Sequence, residues 1–256
     1  DRIADKLGLT NRRILQSAEE LLLKLAFFVP VNDAEKVRDS VFKAGAGVIG
    51  EYDNCSFNTP GTGTFRASEN TNPHVGKKNK LHHEEEVKVE MIVPSWLKNK
   101  VVNALIESHP YEEVAYDLFP LKNKLDIVGM GMLGELEEEM SEYDFLNALK
   151  TVFNTGCVKY SSPLDRPVKK VALCGGSGSF LLSKAIASGV DVFVTADLKY
   201  NHYFDAEGKL IIADIGHYES EQFTKELFYE LLMKKFPKFA LRLSEVNTNP
   251  INYLKF

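Results

Sequence analysis

The stretch Asp214-Ile215-Gly216-His217-Tyr218-Glu219-Ser220-Glu221 holds the residues of this chain best suited to chemistry. His217 opens a helix that follows an apolar strand, and Glu221 stands four residues on. Side chains at i and i+4 share one helix face. An imidazole nitrogen and a carboxylate therefore come within reach of a single cation. That donor pair suits Zn, Mn, Fe or Ni better than Ca or Mg. Glu219 falls on a different face and is the weaker ligand. The plainer alternative is that His217 caps the helix and Glu221 complements its dipole, because His-x-x-x-Glu is common by accident.

In open α/β sheets, ligands collect outside the carboxyl ends of the strands. Three apolar segments end in suitable chemistry: Cys174-Gly175-Gly176-Ser177-Gly178, Thr195-Ala196-Asp197, and Asp214 with His217. They point to one shared cleft. Asp197 and Asp214 are its candidates for a catalytic base or for support of the ligands, and Asp197 is equally suited to N-cap a helix. The Gly175–Ser179 loop could cradle a phosphate on the helix that follows, or pack strand closely on helix. It is neither a GxGxxG nor a Walker A loop. His82-His83 before Glu84-Glu85-Glu86 invites a metal reading, but neighbours on a strand face opposite ways. That stretch reads as a solvated loop entering a strand. Tyr111, Glu112 and Glu113, after His109-Pro110, read as a structural turn. No Ser-His-Asp or Cys-His pairing stands out, and Ser177 lacks the frame of a nucleophile elbow.

The elements that must position these groups follow from periodicity. An opening helix, Arg2–Leu9, is closed by Gly8. Residues 24–121 read as one unit. In it, strand Leu25–Val31 leads to a helix with a capping box at Asn32 and Glu35, which Gly45 stops. A strand over Val48–Phe57 and a turn-rich stretch at Thr59–Thr64 follow, then a polar loop at 66–80. Strand Val87–Val93, a helix capped by Ser95 and ended by His109-Pro110, and strand Val114–Leu118 complete the βαββαβ, ferredoxin-like order. Beyond it, strands at Gly129–Leu136, Val168–Cys174, Val190–Ala196 and Leu210–Ile215 alternate with helices. Those helices begin at Ser141, span 180–188, and run through Tyr218–Phe236, with a final strand at Ala240–Val246. The near-continuous apolar runs predict a mostly parallel α/β sheet covered on both faces.

Composition narrows the classes. The 256 residues are 44% hydrophobic and 26% charged, with a net charge of -5. That balance is ordinary for a folded protein, and it disfavours non-specific nucleic-acid or membrane-surface binding. No apolar run approaches the ~20 residues that cross a bilayer. The three cysteines (Cys55, Cys157, Cys174) form no zinc or disulfide pattern. A reducing, cytoplasmic setting fits them.

Several ordered stretches resemble one family. They are Gly47–Phe57 (GVIGEYDNCSF), Gly61–Phe65 (GTGTF), His109–Asp117 (HPYEEVAYD), Ala172–Phe180 (ALCGGSGSF), Val194–Tyr200 (VTADLKY) and Asp214–Glu221 (DIGHYESE). As a set they resemble the dinuclear-metal proteins called NGG-interacting-factor-three-like, or type 2 homologues of GTP cyclohydrolase I. The resemblance covers essentially the whole chain. It implies an α/β (α+β) main domain interrupted by a ferredoxin-like insert similar to the PII and CutA proteins. On that reading residues 1–23 are the tail end of the main domain's N-terminal half, 24–121 the insert, and 122–256 the C-terminal half.

The resemblance also implies two divalent metal ions, with His217 and Glu221 as ligands and Glu221 bridging. The family's remaining ligands, a His-His pair followed by Pro and an Asp, have no counterpart here, since His82-His83 lies in the insert and no Pro follows. The chain therefore looks like a member that begins just before the insert, and its metal pair is expected to bind weakly by itself. Where the family often has His after Lys-Tyr, this chain has Asn201, with His202 one position late. The implied activity is metal-dependent hydrolysis of a nucleotide or other phosphorylated or cyclic substrate. The competing expectation is a non-catalytic, metal-binding regulator or scaffold, which the insert favours. Trimers or hexamers and an unidentified small-molecule ligand are implied partners.

Overall fold

In the computed structural model, which describes residues 1–254, the chain divides into two compact units. One is Ala18–Leu125; the other joins Asp1–Ser17 to the segment from Asp126 onward. Lys255 and Phe256, the end of the expected segment 122–256, lie outside the described residues.

The chain opens with α1 (Arg2–Lys6), whose Ala4 is fully buried, and β1 (Thr10–Ala18). The sequence did not predict β1. It is the edge strand of its sheet and buries only Leu15, so it lacks a strand-like alternation.

The Ala18–Leu125 unit contains β2 (Leu22–Pro30), α2 (Ala34–Lys43), β3 (Phe57–Arg66), β4 (Leu81–Pro94), α3 (Lys98–Ser108) and β5 (Tyr116–Leu121). The strands lie in the order β3-β4-β2-β5, and all adjacent pairs are antiparallel. One face carries the core: Leu25, Phe27 and Val29 of β2 with Val89, Met91 and Val93 of β4, packed under Val37 and Val41 of α2 and Val101 and Leu105 of α3. Side chains alternate along a strand, so Phe28, Glu86 and Lys88 point to the opposite face.

Three local expectations fail in this unit. Val48–Phe57 is no strand up to Ser56, where it forms an Ile49–Tyr52 bridge, and only Phe57 belongs to a strand, as the start of β3. The stretch read as a turn, Thr59–Thr64, is instead inside β3. An edge strand tolerates Pro60 and the glycines around it because one row of its backbone groups needs no partner. His82–Glu86 belongs to β4 rather than to a loop. The helices also start without the expected side-chain caps, because Asn32 and Ser95 lie in short 3-10 turns.

The chain then adds β6 (Leu125–Met140), α4 (Glu142–Val152), β7 (Lys159–Tyr160), β8 (Val168–Ser177), α5 (Leu182–Ala187), β9 (Val192–Ala196), α6 (Tyr200–Asp205), β10 (Ile211–Asp214), α7 (His217–Glu221) and α8 (Thr224–Lys235). Ser141 caps α4 as expected, its Oγ accepting the Asp144 N–H at 3.1 Å. The sheet order is β1-β6-β8-β9-β10-β7. β8, β9 and β10 are parallel, while β6 and β7 pair antiparallel at either side. The sheet is therefore mixed rather than mostly parallel. Its central strands are covered on both faces, with Val171, Val192 and Ile211 in one core and Ala172, Phe193 and Ile212 in the other. That double burial produces the continuous apolar runs.

The expected helix Tyr218–Phe236 is two helices, broken after Glu221. The expected strand Ala240–Val246 has no regular secondary structure. No described helix is long and apolar enough to cross a membrane.

Candidate metal centre

The carboxyl ends of β8, β9 and β10 lie side by side. Asp214 aligns with Thr195, and Ser177 with Ala196. The β8–β9 register shifts between Leu173 and Ser177, which makes room for the glycine pair. Gly176 sits at φ +64°, a left-handed conformation that costs glycine nothing. Its N–H donates to Ser220 Oγ at 2.8 Å, and its carbonyl accepts from Thr195 Oγ1 at 3.1 Å. Of the two readings of Gly175–Ser179, this geometry favours close packing, since the loop is tied to α7 and β9.

His217 begins α7 and Glu221 ends it. His217 Nε2 lies 3.3 Å from Glu221 Oε2, so the predicted pair does share one face. The backbone of Gly176 forms the wall beside them: a Cβ there would lie 2.6 Å from Glu221 Oε1 and 3.2 Å from His217 Nε2. The other ring nitrogen, Nδ1, donates to Asp197 Oδ2 at 2.5 Å. That bond, then the nearby Glu221 charge, raises the His217 pKa against the opposing effect of partial burial.

Asp197 follows β9 at φ +56°, a region that few non-glycine residues adopt. It caps no helix. Lys199 is the N-cap of α6, and His202 accepts the Lys199 N–H at 3.1 Å, a local role within that helix start. Asp214 is 1% exposed and paired with Lys159 Nζ at 2.8 Å. It also accepts the N–H groups of Leu198 and Gly216 at 3.2 and 3.1 Å. Its carboxylate is thus occupied in bracing the loops that present Asp197 and His217. Cys174, half-buried at the end of β8, has its thiol pKa pushed up by burial and then by Glu221.

Glu219 points away from His217, as its spacing predicts. It is 5% exposed, and its Oε1 accepts from Asn249 Nδ2 at 3.1 Å and Tyr253 OH at 3.2 Å. Sequence reasoning missed Asn249 and Tyr253 altogether. Burial and Glu219 together raise the Tyr253 pKa. A cavity of about 810 Å³ lies here, with Lys159, Asp197, His217, Glu221 and Tyr253 among its walls. Among the described residues, no three His, Cys, Asp or Glu side chains converge as a metal-holding group.

The family model described as Duf34/NIF3 (NGG1p interacting factor 3) matches residues 1–250. The chain belongs to this family. It is 41% identical over 260 residues to the GTP cyclohydrolase 1 type 2 homolog of Halalkalibacterium halodurans, covering 99% of this chain and 70% of that one. Against the same-named protein of Bacillus subtilis the identity is 36%, with 99% and 69% covered. A crystal structure of a Bacillus cereus protein related to NIF3 superposes with a TM-score of 0.80 at 36% identity, covering 98% of this chain and 68% of that one. These names rest on homology, so for this NIF3-family chain the chemistry must be argued from its residues.

Proposed function

We propose that this protein is a divalent-metal-dependent hydrolase, with His217 and Glu221 forming part of a dinuclear centre. The observation that carries the reading is the cradle at Gly176. A Cβ at that α-carbon would meet Glu221 Oε1 and His217 Nε2, so the missing side chain lets both donors pack against the backbone at the end of β8 while they line the cavity. The fit extends outward. Asp197 holds Nδ1, which orients the ring and directs the Nε2 lone pair to the open side.

The donor set is one imidazole and one carboxylate, which matches Zn, Mn, Fe or Ni. A complete centre needs further ligands from beyond these two side chains. When bound, such ions supply Lewis acidity and lower the pKa of water. The chain's own contribution is orientation: Asp197 fixes the imidazole, Asp214 braces the loops on either side, and Glu219 anchors the segment that walls the cavity. The substrate class, a nucleotide or other phosphorylated or cyclic molecule, rests on the family resemblance.

The test is a hydrolysis screen of nucleotides and phosphoesters on full-length protein supplied with Mn or Zn. Turnover that requires metal and drops at least ~10²-fold on Glu221→Ala or His217→Ala supports the reading. Turnover indifferent to both substitutions, or none from metal-loaded protein across the panel, rejects it.

A further inference from the structure

The face of the four-stranded sheet opposite α2 and α3 holds a second cavity, of about 660 Å³. β3 and β4 form its floor. The segments after β3 and after α3 form its walls, tied together where the Asn72 N–H donates to both Glu112 carboxylate oxygens at 3.1 and 3.2 Å.

Glu86 of β4 points into this space and is only 9% exposed. Its Oε1 accepts from Tyr111 OH at 2.8 Å. Its Oε2 lies directly over Gly63, where any Cβ would collide with it. Among the described residues, no Lys, Arg or His nitrogen lies within ion-pairing distance of this carboxylate, and Tyr111 is its one hydrogen-bond donor. His109, close by, is already used: Nε2–H donates to the Phe28 carbonyl at 2.9 Å and Nδ1 accepts the Tyr111 N–H at 3.1 Å. With one nitrogen accepting, that ring is neutral. Lys88 also lines the cavity but is engaged by Glu90 at 3.4 Å. Glu86 Oε2 thus faces the cavity with no protein donor among the described residues, beside an Oε1 that has a single neutral one, and is open to a donor from a ligand.

Aromatic rings surround it. Phe65, His74 and His109 stand 6.0, 6.3 and 5.1 Å from the Tyr111 ring, centroid to centroid. The carboxylates of Glu112 and Glu113 add negative charge at the walls, against Arg66 and Lys88. Among the described residues, Glu86 belongs to no group of three His, Cys, Asp or Glu side chains placed to hold a metal, so a bare metal ion is poorly served.

We propose that this cavity binds a small organic cation. An amidinium, guanidinium or ammonium nitrogen donates to Glu86 Oε2, and a flat or apolar body packs on Tyr111 and Phe65. The volume is that of an ordinary small-molecule site, and charge-assisted hydrogen bonding with ring stacking gives such a ligand both its anchors. The site stands independently of the metal centre.

Benzamidinium and its neutral isostere benzamide test it, titrated into the full chain by calorimetry and ligand-observed NMR. Benzamidinium is expected to bind at least ~10-fold more tightly than benzamide, with contacts to the Tyr111 and Phe65 rings. Glu86→Gln, checked for folding by circular dichroism, is expected to erase that preference. Should the variant not fold, the wild-type comparison still decides. Equal binding of the two probes, binding of neither at millimolar concentration, contacts mapping elsewhere, or an unchanged preference in folded Glu86→Gln each overturn the proposal.

Discussion

Asp197 accepts a hydrogen bond from His217 Nδ1 at 2.5 Å across twenty residues of sequence, from a backbone held at φ +56°. The imidazole is thereby fixed in plane and polarised before any ligand meets its other nitrogen.

Asp197→Asn tests that relationship. The amide keeps an acceptor but removes the charge, so the His217 pKa is expected to fall toward its ordinary value of about 6.5. Because the native shift is upward, the pair's contribution to stability is present below the unfolded value and fades as pH rises through the folded one. Both side chains are half-exposed, so the melting temperature should barely move. The NMR titration of the His217 ring protons measures this, and an unshifted midpoint would show that Asp197 does not polarise the imidazole.

Gly176→Ala should damage the centre through both its backbone and its Cβ. The φ of +64° disfavours any side chain, and the new methyl meets Glu221 and His217. Urea unfolding is expected to report a loss of ~1–3 kcal/mol. Divalent-metal binding by calorimetry should weaken beyond what that loss of stability accounts for. Wild-type metal affinity in a folded variant would argue against the cradle.

Asp214→Ala leaves the N–H groups of Leu198 and Gly216 and the Lys159 ammonium without their common acceptor. A cost of ~2–4 kcal/mol follows. Asp214→Asn retains an acceptor and should cost less. Equal losses for the two variants in chemical denaturation would mean that Asp214 acts by packing alone.

Glu219→Gln should loosen the segment around Asn249 and Tyr253 by weakening both hydrogen bonds to the carboxylate. Hydrogen exchange is expected to quicken there while β9 stays protected. The Tyr253 pKa should also fall part of the way to its ordinary range, since Glu219 is the second cause of its rise after burial. Unaltered exchange at 249–253 would show the segment to be held by other contacts.

How far the chain could be read in advance depended on burial. β8, β9 and β10 were legible because both faces are covered and almost every residue is apolar. The edge strands β1 and β3 were not, because exposed backbone tolerates Asn, Pro and Gly that a central strand would reject. β6 carries no local mark of its antiparallel direction, and the two-residue β7 is too short to show a pattern and was not predicted, so the sheet read as more parallel than it is. In the site, His217 and Glu221 were legible from a four-residue spacing. Asp197 was found only as a candidate, with helix capping an equal reading, since its bond to His217 is tertiary. Asn249 and Tyr253 carried no signal at all, because their contact with Glu219 depends on an extended segment folding back.

α7 is only five residues long, so the proposed ligand pair is its first residue and its last. A single turn does not hold itself together in water. It borrows its shape from its surroundings: from the sheet through the Gly176 N–H donating to Ser220 Oγ, and from the irregular segment after α8 through Tyr253 OH donating to Glu219. The two donors therefore share one fate: if α7 lifts from the end of β8, imidazole and carboxylate leave together.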